Sequence, residues 1–237
     1  MASGTNQTFA DRAIAYAAQL TYTGKPLPPN VQVMNPFVEG SDTMRIVKEF
    51  YTKYYNDNRP RHMILGINPG RFGGAITGIP FTDPKRLVSE LGIAYNGPSA
   101  HEPSSVYVYE MINAYGGAAA FYSDFYINSL SPLGFAIMDN KGKLTNHNFY
   151  DTKQLQDAAY DYMVKNVKKQ IALGINTNLA FCFGTGENWK FLKKFNADHG
   201  FFKEIIPLEH PRYIMQYQFK NRDRFVEKYL EAFGRVR

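Results

Sequence analysis

Cysteine is nearly absent: Cys182 stands alone in 237 residues. One thiol excludes an internal disulfide and any metal or iron–sulfur centre built on a cysteine cluster. Long apolar runs are missing too; none approaches the ~20 residues that span a bilayer, so no membrane association is expected. The opening MASGTNQTFADRAIAYAAQL carries Asp11 and Arg12 and lacks an extended apolar stretch, which argues against a secretory signal and for a cytoplasmic protein. His62, His101, His147 and His199 stand at no spacing that suits a metal ion, so no metal site is expected. Internal repeats and low-complexity tracts are also absent.

What is present describes a globular chain. Hydrophobic residues make up 44% and charged residues 20%, and the length suits one fairly large domain over 1–237 with its own core. Residues 1–60 are expected to form a helical and extended segment packed on that domain. The net charge is +6 and the isoelectric point about 9.2, a balance that favours polyanions without naming one. With 17 Tyr and 18 Phe, aromatic residues are abundant; most belong in a core, although beside Arg and Lys they also suit base stacking.

The apolar pattern alternates between short runs and helical periods. Helices are expected over about 8–20, from Ser41 through DTMRIVKEFYTKYY, from Asp83-Pro84 to Gly92, over 104–115, 152–174, 185–200 and 221–234. Strands are expected at 62–67, 124–130, 178–184 and 203–208, and the Pro- and Gly-rich residues 21–40 read as an extended surface segment. Alternation of this kind predicts a three-layer α/β/α sandwich around a four-stranded, mostly parallel sheet. Ligands of such sheets bind at the carboxyl ends of the strands. Asn68, Asn128 and His210 follow three of those ends, and they are expected to meet in one crevice.

LGINPGRFGG at 65–74 ends an apolar run in an Asn-Pro-Gly turn and continues in glycines. No Gly-Lys-Ser/Thr follows, and GRFGGAITG lacks the phasing of a dinucleotide loop. Gly66, Gly70, Gly73, Gly74 and Gly78 cluster behind one strand end, which predicts close approach of a ligand or a phosphate backbone; the plainer reading is a tight turn. Asn128 can equally cap the turn in NSLSPL, His210 can be an ordinary partly buried histidine, and Arg212 and Tyr213 an ordinary solvated rim.

GINPGRFGGAITGIPF at 66–81, followed by LGI at 91–93, resembles the first motif of the single-strand-selective monofunctional uracil-DNA glycosylases. NSLSPL at 128–133 resembles that family's base-recognition segment, and HPRYIMQYQ at 210–218 stands where its second motif opens with His-Pro. The resemblance runs from about residue 60 to the end. It implies the family's α/β/α fold and hydrolysis of the N-glycosidic bond of uracil or a related base in single- or double-stranded DNA. An abasic site would remain, and the reaction would need neither metal nor cofactor. Position by position it implies that Asn68 orients the attacking water while backbone at Ile67 and Gly70 touches base or water. Phe81 would stack under the flipped base, Asn128 would read its Watson–Crick edge, and His210 would stabilise charge on the departing base. Arg71, Gly73, Gly74, Pro211, Arg212 and Tyr213 are the expected DNA contacts.

An amide at Asn68 positions water but accepts no proton, so a slower enzyme than carboxylate-bearing relatives is expected. No lysine stands at a motif position, so lyase chemistry is not expected. Beyond His-Pro the family usually has Ser-Pro-Arg, where this chain has Arg212-Tyr213-Ile214; Arg71 also replaces a small or apolar residue. Those departures mark a divergent, bacterial-type branch, with base preference open among uracil, hydroxymethyluracil and deaminated purines. The competing class is a non-catalytic DNA-binding protein of the same fold. A monomer is expected in either case.

Overall fold

The computed structural model describes residues 7–38 and 41–236. α1 (Phe9–Ala18) starts from a capping box: Thr8 Oγ1 accepts the Asp11 N–H, and the Asp11 carboxylate accepts the Thr8 N–H. β1 (Val31–Met34), α2 (Asp42–Tyr54) and β2 (Arg61–Gly66) follow, then the short helices α3 (Gly74–Thr77) and α4 (Pro84–Ser89). Asp83 caps α4 through the Arg86 N–H, with Pro84 in the first turn. Next come α5 (Pro103–Tyr115), α6 (Ala118–Asp124), β3 (Phe125–Ser129), β4 (Gly134–Met138) and β5 (Leu144–His147). The chain continues through α7 (Lys153–Ile171), β6 (Ile175–Phe183), α8 (Glu187–His199), β7 (Glu204–Leu208), α9 (Pro211–Tyr217) and α10 (Arg222–Phe233).

Four strands form a fully parallel sheet in the order β3-β2-β6-β7, flanked by helices. Their carboxyl ends share one edge: Gly66 lies beside Ser129, Leu65 beside Cys182, and Phe183 beside Leu208. Burial on both faces explains why these strands read as near-continuous apolar runs.

A second sheet departs from the expectation. β1, β4 and β5 pair antiparallel in the order β1-β4-β5, so residues 31–34 are a strand rather than loose surface chain; residues 39–40 lie outside the described residues. The β4–β5 connection turns because the Asp139 carboxylate accepts the N–H groups of Lys141 and Lys143, and Gly142 takes a positive φ of 75°. β4 comes so close to the Asn-Pro-Gly turn that a Cβ on Gly134 would lie 2.5 Å from the Pro69 carbonyl oxygen. The sheet thus abuts the loop that carries Asn68. α3, α6 and α9 are helices beyond those expected, and the helix expected to reach Gly92 stops at Ser89.

One apolar cluster runs from Phe9 to Phe233. Arg61 is buried completely within it; its guanidinium pairs with Asp57 at 2.7 Å and lies over the rings of Phe9 and Tyr55. Burial without that carboxylate and those ring faces would be costly for a cation.

Candidate active site

The carboxyl edge of the parallel sheet opens into a cleft of about 520 Å³. Ile67, Asn68, Gly70, Gly74, Phe81, His210, Arg212 and Tyr213 all line it, so these sequence candidates come together. Asn128, Arg71, Gly73 and Pro211 are not among its lining residues.

Asn68 leaves β2 and is held by the chain just beyond β5. Its Nδ2 donates to the His147 carbonyl at 3.2 Å, and its Oδ1 accepts the Phe149 N–H at 3.0 Å. Two main-chain groups of opposite polarity therefore fix which way the amide faces. Asn146, one residue before His147, accepts the Arg71 N–H at 3.0 Å and steadies the loop from the same side.

Phe81 adopts φ 53°, a left-handed conformation unusual for a bulky residue and the kind of strain that collects at functional sites. Its ring meets Phe183 edge-on at 5.4 Å and tilts against His210 at 5.7 Å. Behind it, a Cβ on Gly66 would come within 3.2 Å of this ring and 3.1 Å of Ser129 Oγ, so a bare backbone there lets Phe81 and Ser129 approach.

At the end of β3, Ser129 lines the cleft. Asn128 lines a small adjoining pocket that shares Pro69, Gly74 and Pro80 with the cleft. Its Nδ2 donates to the Tyr126 hydroxyl at 2.6 Å and its Oδ1 accepts the Ser129 N–H at 2.8 Å. At Gly73 the space a side chain would take is filled by Oε2 of the Glu102 carboxyl.

His210 is the N-cap of α9, and its Nδ1 accepts the Arg212 N–H at 3.1 Å. Burial, and then the Arg212 charge, depress its pKa to about 4. The imidazole is therefore neutral at physiological pH, and with Nδ1 accepting, its proton sits on Nε2. α9 also brings Arg212, Tyr213, Gln216 and Tyr217 to the cleft, with the exposed rings of Tyr213 and Tyr217 tilted against each other at 5.7 Å. Pro211 after a capping His210 signals that helix in the sequence. Glu102, Ser129 and the chain after β5 escaped sequence reasoning. Ser129 was one residue from a residue singled out, and Glu102-Pro103 marks a helix start without announcing a cleft.

Among the described residues, no group of three His, Cys, Asp or Glu side chains is arranged to hold a metal ion.

The family model described as the uracil DNA glycosylase superfamily matches residues 52–234. A solved structure, that of wild-type Pedobacter heparinus SMUG2, is similar at 55% identity with a TM-score of 0.95; the match covers 97% of this chain and 98% of that one. No curated protein matches. The matched span, the near-complete likeness and a cleft uniting Asn68, Phe81 and His210 lead to one conclusion: the chain belongs to the uracil DNA glycosylase superfamily.

Proposed function

We propose that the protein is a monofunctional DNA glycosylase that removes uracil and related bases from DNA by hydrolysing the N-glycosidic bond. The observation that carries this reading is the joint presence in one cleft of a pinned amide, an aromatic floor and a neutral histidine with its N–H free for a ligand. Extrusion of a nucleotide costs a few kcal/mol in lost stacking, which Phe81 offsets by stacking on the flipped base. As the C1′–N bond breaks, its electron pair passes to the base; water directed by Asn68 adds its oxygen to C1′ and releases a proton. His210 Nε2–H donates to the oxygen on which the charge gathers. A donor so placed contributes about 3–4 kcal/mol, or 10²–10³ in kcat.

In this reading Asn128, beside the cleft at the end of β3, reads the base edge. An amide held in one orientation presents a fixed donor and acceptor, so a base with the reverse pattern leaves buried polar groups unpaired. The exposed Tyr213 and Tyr217 support stacking against bases next to the flipped one, and the charge of +6 supports contact with the strand as a whole.

The test uses end-labelled oligonucleotides bearing one uracil, single-stranded and paired, in EDTA, with alkali to reveal abasic sites. Alkali-dependent cleavage is expected, reduced at least a hundredfold in Asn68→Ala and His210→Ala and reduced as well in Asn128→Ala. DNA binding without cleavage of uracil, hydroxymethyluracil, hypoxanthine or xanthine would reject the enzyme and leave a binding protein.

A further inference from the structure

The cleft holds a carboxyl that the hydrolysis just described does not use. Glu102 lies at the N-terminus of α5 and lines the cleft. Its Oε1 is 3.2 Å from the ideal Cβ position of Gly70, and its Oε2 fills the side-chain space of Gly73. That Oε2 is fully enclosed and has no hydrogen-bond partner. An enclosed carboxylate oxygen without a donor is expensive, and the cost is relieved by a proton or by a ligand that supplies or accepts one.

The surrounding charges favour the proton. On the α4 side, the Asp83 carboxylate accepts Glu102's own N–H at 2.9 Å and sets a like charge beside it. Asp83 pairs with the Arg86 guanidinium at 3.4 Å and faces His101 Nδ1 at 3.2 Å, so the Arg86 charge is already engaged. From α9 only Arg212 opposes the effect; β5 offers the neutral Asn146, and the Gly-rich loop offers backbone at Gly70 and Gly73. Burial, with Asp83 adding to it, lifts the pKa of Glu102 to about 7. A DNA strand in the cleft brings more negative charge and lifts it further.

We propose that Glu102 takes part in DNA binding as its neutral acid, donating Oε1–H to an oxygen of the strand lying against Gly70 while the enclosed Oε2 becomes the uncharged carbonyl oxygen. Binding is then coupled to uptake of one proton, because an ionised Glu102 would both lack the donor and repel the phosphates. The inference rests on the reading of the cleft as a DNA site, and the experiment separates the two.

Binding of an oligonucleotide with a non-hydrolysable 2′-fluorinated uridine would be measured from pH 6 to 9 at fixed ionic strength. Wild type, Glu102→Gln and Glu102→Ala would be compared, with uracil cleavage followed in parallel. Wild-type affinity is expected to fall above pH 7 by up to tenfold per unit. Glu102→Gln, which keeps a neutral donor, should bind as wild type does at pH 6 and show no slope. Glu102→Ala should also be flat, but weaker by about fivefold, the worth of one neutral hydrogen bond. A flat wild type, a slope that persists in Glu102→Gln, or a glutamine variant as weak as the alanine one would each overturn the role of Glu102 while cleavage leaves the glycosylase standing. Failure of every variant to bind or cleave would overturn the glycosylase reading and this inference with it.

Discussion

In the proposed reaction His210 works by staying neutral. A histidine near its ordinary pKa of 6.5 would be cationic in mildly acid solution, whereas burial and Arg212 hold this one at about 4. The unfolded chain takes up a proton as pH falls through 6.5 and the native site does not, so this residue's share of stability declines between pH 6.5 and 4 and is constant above. The Nε2–H donor is present in the neutral and the cationic imidazole alike. Turnover on saturating single-stranded uracil substrate should therefore show no histidine inflection near pH 6.5. An inflection there that disappears in His210→Gln would reject the neutral donor. Saturation matters because the pH effect assigned to Glu102 acts on binding.

The same scale explains why Asn128 attracted attention and Ser129 did not. Asn is chemically suited to reading a base and Ser is unremarkable, so residue type drew notice to one of two neighbours that both stand at the end of β3, Asn128 beside Leu65 and Ser129 beside Gly66. Asn68, Phe81 and His210 were legible because each follows a strand or a distinctive turn.

At the level of elements, the parallel sheet was readable and the antiparallel one was not. β2, β3, β6 and β7 are buried apolar runs separated by amphipathic helices. β1 and β5 have four residues each, mostly half-exposed, without clean alternation. Yet β5 and the turn beyond it hold Asn68. That turn is closed by Asp151, which accepts the Asn148 N–H at 2.8 Å and faces His147 Nδ1 at 3.4 Å. Asp151→Ala should loosen the turn and lower kcat by roughly three- to tenfold, with KM little changed because no ligand contact is lost. Steady-state kinetics would decide; a change confined to KM would place Asp151 in DNA binding instead.

Across the whole molecule, the described residues before 60 are tied to the sheet through aromatic packing, and Thr43 Oγ1 also donates to the Ile76 carbonyl at 2.8 Å in the short helix after the Gly-rich loop. Phe9 stacks on Tyr55 at 5.3 Å, meets Tyr126 at 5.4 Å and underlies the Arg61 guanidinium. We propose that this segment and the sheet unfold as one unit. Phe9→Ala should cost about 3–5 kcal/mol, equivalent to a drop in melting temperature on the order of 10 °C for a chain of this size. Activity per folded molecule should be preserved below the transition. A melting curve that keeps its midpoint, or splits in two, would separate the segment from the core. No helix among the described residues is long and apolar enough to cross a membrane.

The two main-chain bonds that grip Asn68 bear on how this scaffold can evolve. In Asn68→Asp, an oxygen would replace the Nδ2 that now donates to the His147 carbonyl, and two acceptors would confront each other at about 3 Å. The new carboxyl would hold its proton in order to keep the bond, and so would be a poor base. A change that looks like one codon's distance from a faster catalyst is closed off by backbone geometry. Opening it requires the chain after β5 to move first, so speed at this centre is accessible only through remodelling of a sheet that carries no chemistry of its own.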